Sequence, residues 1–182
     1  VDYITVNTDA RALNSSKADT KVQIGVKLTN GKGAGAKPEI GASSAEENRD
    51  EIKAALSGSD MVFIAAGMGG GTGTGAAPIV AEIAQELGIL TVAVVTKPFE
   101  FEQKAKMRQA EAGIAELKKH VDSLIVIPNE RLLQSADKEL TMKQSFALAD
   151  DILKVGVKSI AELITVEGDI NLDFADVKTL SL

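Results

Sequence analysis

Apolar and polar residues alternate along this chain with two periods. Strand-like runs rich in apolar residues occupy residues 3–6, 23–28, 61–66, 89–96 and 124–127. Runs of this length predict buried strands. Apolar residues recur every three or four positions at 45–56, 76–87, 102–119 and 141–165, the spacing of amphipathic helices. From residue 61 onward the two types alternate. That order predicts a parallel sheet covered on both faces. Right-handed crossovers make it a doubly wound, mainly parallel, Rossmann-like α/β sheet. Ligands of such sheets bind outside the carboxyl ends of the strands. The loops after Asn7, Leu28, Ala66, Thr96 and Ile127 are predicted to emerge there.

The last helix is the longest. Met142, Phe146, Ala149, Leu153, Val157, Ile160 and Ile164 form one apolar stripe, and Leu148, Ile152, Val155 and Leu163 form a second. A helix apolar on two flanks needs cover on both. The sheet supplies one side. The expectation is that a second domain packs on the other, and that this chain alone exposes apolar surface.

Between the run 61–66 and the next helix lies Gly69-Gly70-Gly71-Thr72-Gly73-Thr74-Gly75. Glycines permit left-handed backbone angles and remove Cβ atoms from the approach. The loop feeds the positive end of a helix whose first turn is predicted to hold Pro78, so it can present bare N–H groups to a phosphate. No window fits G-x-G-x-x-G, and Gly31-Lys32 is followed by Gly33 rather than Ser or Thr. Neither the dinucleotide fingerprint nor the P-loop is present.

Composition narrows the classes. The 182 residues carry a net charge of −6 and no cysteine. The charge argues against a nucleic-acid partner, and the cysteine count excludes disulfides and thiolate metal sites. No export leader is visible, and every apolar run is far below the ~20 residues that cross a bilayer. His120 has no partner in the pattern and reads as structural.

Residues 60–78, with GGGTGTG at their centre, resemble the glycine motif of the tubulin/FtsZ superfamily of GTPases, closer to its bacterial cell-division branch than to eukaryotic tubulin. Val6-Asn7-Thr8-Asp9, Gly33-Ala34-Gly35-Ala36 with Pro38-Glu39, residues 91–99, and residues 171–176 resemble further family blocks in family order. The family begins with a strand and a first phosphate loop, and ends with a second domain. The resemblance therefore implies an internal piece: a GTP-binding domain over 1–140, a central helix over 141–165, and a catalytic loop with the start of the next helix over 166–182.

The resemblance also implies a site. Gly69, Gly70, Gly71, Thr72 and Gly73 would wrap the α- and β-phosphates, with Thr72 and Thr74 as hydroxyl donors. Ala34, Gly35 and Ala36 would approach the γ-phosphate. Glu102 would bond the ribose, and Lys106 stands where the family usually has arginine. Asn129 would contact sugar and base, or cap the helix over 130–135, or both. Phe146 would stack on the purine, and Asp150 would accept from the guanine N1–H and N2–H₂ edge. Asn171, Asp173 and Asp176 would complete hydrolysis. The cofactors implied are GTP or GDP, with Mg²⁺ arriving on the nucleotide and no metal site in the protein.

Geometry adds one consequence. A helix of 25 residues spans about 37 Å, with Phe146 at its near end and Asp173 and Asp176 beyond its far end. Those acids cannot reach their own chain's nucleotide and must serve the next subunit. Contacts of that kind are head-to-tail and build open filaments. The expected partners are copies of itself and other division proteins, without nucleic acid or membrane insertion. The expected location is the cytoplasm at the division site. The rival functions are a fragment that binds nucleotide weakly and only docks to filaments, and a dinucleotide-dependent oxidoreductase.

Overall fold

The computed structural model describes residues 2–136 and 139–165. In chain order the elements are β1 (Ile4–Asn7), α1 (Ala10–Ser15), β2 (Thr20–Gln23), α2 (Val26–Thr29), α3 (Pro38–Glu47) and α4 (Arg49–Leu56). They continue with β3 (Met61–Gly67), α5 (Thr72–Glu86), β4 (Leu90–Lys97), α6 (Lys104–Lys118), β5 (Ser123–Pro128), α7 (Asn129–Gln134) and α8 (Met142–Thr165).

Every strand pair is parallel, as the alternation predicts. β1 pairs with β2, and β3, β4 and β5 form a second sheet in that order. β4 is the central strand of the larger sheet, and residues 91 to 96 are all buried. Its run of Val92, Ala93, Val94 and Val95 suits a strand covered on both faces. One apolar core joins the two sheets: Val22 and Ile24 share it with Ile52, Ile64, Ile83 and Leu117.

Four boundaries differ from the pattern. The second strand is not 23–28 but Thr20–Gln23, because Gly25 takes φ +65° and starts α2. The Asn48 side chain accepts from the N–H groups of Gly25 and Val26, and Glu47 accepts from Lys27 and Leu28. Those caps turn an apolar stretch into a helical turn. The helix expected at 45–56 is two, α3 and α4, broken at Asn48. α5 begins at Thr72 rather than 76, so Pro78 lies inside it and not in its first turn. The segment 102–119 splits at Gln103, whose φ of +84° separates a 3₁₀ turn from α6.

The packing of α3 on α5 depends on absent side chains. A Cβ on Gly41 would strike the Gly71 carbonyl, and one on Gly75 would strike the Pro38 carbonyl. α8 starts with a reciprocal cap. The Gln144 N–H donates to Thr141 Oγ1 (3.1 Å), and the Thr141 N–H donates to Gln144 Oε1 (2.9 Å). α8 lies against β3, β4 and α7. It buries Ala149 and leaves Met142 and Val155 each 60% exposed. Among the described residues no helix is long and apolar enough to cross a membrane.

Candidate functional site

The loops after β1, β3, β4 and β5 meet at the carboxyl ends of their strands. β3 continues one residue past its strand: the Met68 N–H donates to the Thr96 carbonyl (3.0 Å). The chain then turns at Gly69, where φ is +118° and a Cβ would lie 2.6 Å from Pro98 Cγ. Only glycine fits both demands. Gly73 is held for a different reason, since a Cβ there would lie 2.6 Å from the Gly67 carbonyl. Gly70 differs from both: nothing in the chain would touch a Cβ at that position.

α5 begins directly after this loop with Gly71 as its cap and no side-chain cap bond. The amides of Gly70, Gly71, Thr72 and Gly73 have no acceptor among the described residues. Open amides at a helix start favour an anion.

The two loops assigned to phosphates lie against each other. A Cβ on Gly71 would come within 2.8 Å of the Ala34 side chain and 2.8 Å of the Lys37 amide. Gly35 and Ala36 both take φ of +60°, a turn that brings the small residues round to Lys37, whose N–H donates to the Ala34 carbonyl (3.2 Å).

Both loop threonines have partners inside the protein. Thr72 Oγ1 lies 2.6 Å from Thr8 Oγ1. Thr74 is buried, and its Oγ1 accepts from the Gly69 N–H (2.7 Å).

Glu102 and Lys106 are brought together as a pair, with Lys106 Nζ 3.6 Å from Glu102 Oε1. Glu102 is not the solvated charge that its place in the chain suggests. Its side chain is 12% exposed, and Oε2 accepts from the Phe99 N–H (2.7 Å). The Lys106 carbonyl lies near Gly69, so α6 touches the glycine loop through its first turn.

Phe146 does not stand alone. Phe99 and Phe101 stack with centroids 4.9 Å apart, and Phe146 meets both edge-on at 5.7 and 5.8 Å. Phe99 is buried, whereas Phe101 and Phe146 keep an exposed face. Asp150, one turn along α8, is exposed. Asn129 does not cap α7. The helix starts at Asn129 itself after Pro128, with no side-chain cap bond. Its Oδ1 is buried without a hydrogen-bond partner, an open acceptor at the carboxyl end of β5. Nearby, the Glu100 N–H donates to Glu130 Oε1 (2.6 Å), tying the loop after β4 to α7.

A continuous shell therefore links Ala34, Gly71, Gly69, Lys106, Glu102 and Phe146. Thr8, Pro98, Phe99 and Phe101 support it, and their own patterns gave no role away. Asn171, Asp173 and Asp176 lie outside the described residues. His120 has a partner after all, with Nδ1 2.9 Å from Gln85 Oε1. It lines a cleft of about 300 Å³ at the amino ends of β4 and β5, away from the loops above. Among the described residues no three His, Cys, Asp or Glu side chains converge as metal ligands.

The parallel sheet, the open amides before α5 and the aromatic corner form an α/β domain whose candidate site lies where such sheets bind ligands, outside the carboxyl ends of the strands. Residues 1–137 match the family model described as "Tubulin/FtsZ family, GTPase domain", and the chain belongs to that family. Among solved structures it is similar to the empty FtsZ dimer of M. jannaschii, at 52% identity and TM-score 0.95, over 99% of this chain and 52% of that one. It is similar also to the W319Y mutant of M. jannaschii FtsZ, at 53% and 0.93, over 98% of this chain and 53% of that one. CetZ2 from Haloferax volcanii, a GTPγS-bound protofilament, matches at 25% and 0.76, over 91% and 51% of the respective chains. This chain thus spans about half the length of each.

Proposed function

We propose that this chain is the guanine-nucleotide-binding part of a filament-forming GTPase. The observation that carries the reading is the set of four open amides at Gly70, Gly71, Thr72 and Gly73, flanked by Ala34 and placed at the start of α5. The residues fit a nucleotide. The amides suit the α- and β-phosphates, and Ala34, Gly35 and Ala36 flank them on the γ side. Glu102 and Lys106 serve the ribose end, the unpartnered Asn129 Oδ1 accepts from sugar or base, and Phe146 with Asp150 addresses guanine. Mg²⁺ comes with the phosphates.

On this reading the chain comprises a GTP-binding domain (1–140), a central helix (141–165) and a catalytic loop (166–182). The 24 residues of α8 span about 36 Å. Asn171, Asp173 and Asp176, which follow it in sequence, act on the nucleotide of an adjacent subunit, where the two carboxylates polarise the attacking water. The FtsZ dimer and the CetZ2 protofilament among the neighbours support self-association. The setting is a cytoplasmic division filament that works with other division proteins.

The test has two arms. Calorimetry should detect GDP and not ADP or NAD; binding of NAD would favour an oxidoreductase, and no binding at all a docking fragment. Phosphate release from GTP should rise more steeply than linearly with protein concentration, and Asp173→Asn should abolish release while leaving GDP binding intact. A linear dependence would remove the shared site.

A further inference from the structure

Thr74 sits in the first turn of α5, the turn proposed to face the phosphates, yet it is only 3% exposed. Its two branches have separate tasks. The hydroxyl oxygen reaches back five residues and accepts the Gly69 N–H at 2.7 Å. The methyl group enters a notch on α6: a Cβ on Gly113 would come within 2.5 Å of Thr74 Cγ2 and 2.8 Å of Met68 Cε. The two branches thus face different neighbours, the hydroxyl the loop and the methyl α6.

We infer that Thr74 is the positioning residue of the phosphate loop. The reasoning rests on the guanine-nucleotide reading above. The loop has five consecutive amides from Gly69 to Gly73. Met68 is pinned to β4 through the Thr96 carbonyl. Gly69 is pinned to the start of α5 through Thr74. Between those anchors the backbone takes φ of +118°, an angle any other residue resists. With the Gly69 amide consumed inside the protein, the amides that follow it are the ones left for a ligand. Thr74 does not touch phosphate; it sets the register of the groups that do. The Lys106 carbonyl of α6 also lies beside Gly69, so α6 borders the loop next to the ribose-side residues.

Two variants separate the branches. Thr74→Val keeps the shape and the methyl contact but leaves Gly69 without an acceptor. Thr74→Ser keeps the acceptor and gives up the methyl. Titration of the full chain with GDP should show Val weakening affinity about five- to tenfold, the worth of one neutral hydrogen bond, and Ser staying within about twofold of the parent. Hydrogen exchange at the Gly69 amide, measured without nucleotide, should be faster in the Val variant and unchanged in the Ser variant. Equal GDP affinity for Val and parent would overturn the inference, as would a Ser variant as weak as Val, since the methyl contact alone would then explain the effect. A parent chain that binds no GDP would defeat the guanine-nucleotide reading and the positioning role with it. In that case the exchange rates still decide whether Thr74 anchors Gly69.

Discussion

The hydroxyl oxygens of Thr8 and Thr72 lie 2.6 Å apart across 64 residues of sequence. Thr8 is fully buried at the end of β1, and its carbonyl accepts from Thr29 Oγ1 (3.3 Å). Three segments therefore meet at one point: the loop after β1, the end of α2 and the start of α5. Replacing Thr8 by Val keeps the volume and leaves the Thr72 hydroxyl without its partner. Urea unfolding should show a loss of ~1 kcal/mol for Thr8→Val and a similar loss for Thr72→Val. The double variant should cost less than the sum, because the second change removes a group already unpaired. Strict additivity would mean that the two hydroxyls do not support each other.

Glycines of one loop and helix should separate into two kinds. Gly75→Ala drives a methyl into the Pro38 carbonyl. Backbone cannot yield as a side chain does, so the cost should reach or exceed ~3 kcal/mol, the upper end for overpacking. Gly70→Ala meets open space and should change unfolding free energy by less than ~0.5 kcal/mol. On the proposed reading its methyl instead stands where phosphate approaches, and GDP affinity should fall. A Gly70→Ala chain that binds GDP like the parent would move the ligand off that face of the loop.

The strongest sequence signals were the ones tied to backbone constraint. The alternation after residue 61 was legible because β3, β4 and β5 are apolar runs, although only β4 is buried along nearly its whole length. The glycine run was legible because four of its positions, 69, 71, 73 and 75, have no room for a Cβ. The second strand was misplaced because 23–28 is apolar for a different reason: Ile24 is core, while Val26 and Leu28 are exposed on a short helix capped from α3. Such caps come from residues some twenty positions away and leave no local pattern. The intramolecular partners of Thr72 and Thr74 left no local pattern either. A threonine beside glycines shows in sequence only that it can bond a ligand; its partner in the fold, Thr8 or Gly69, is seen only in space.

Helix α8 carries a prediction of its own. Met142 and Val155 are largely exposed, and Ile152 and Phe146 are partly so. Apolar side chains grouped on one helix mark a surface that binds other apolar surfaces. The chain should enhance the fluorescence of a hydrophobic dye. Met142→Ser with Val155→Ser should reduce that signal, with a change in unfolding free energy below ~1 kcal/mol, since little packing is lost at exposed positions. A dye-silent parent would show that these side chains are covered in solution.

Asp150 offers a test of which base is recognised. It is exposed one turn from Phe146, itself braced edge-on by Phe99 and Phe101. A carboxylate only accepts, so beside a purine it selects an edge with two donors. Guanine presents N1–H and N2–H₂, hypoxanthine presents N1–H alone, and adenine presents no N1–H. Asp150→Ala should lower GDP affinity by ~1.5–3 kcal/mol, the worth of charge-assisted hydrogen bonds. Affinity for inosine diphosphate should start lower and fall less, because that ligand has one fewer bond to lose. The preference of the parent for GDP over inosine diphosphate should therefore vanish in the variant, while unfolding free energy stays within ~0.5 kcal/mol at this exposed position. If Asp150→Ala weakens both ligands equally, the carboxylate acts through the general field of the site and not on the N2 amine. If it weakens neither, guanine is read by other residues.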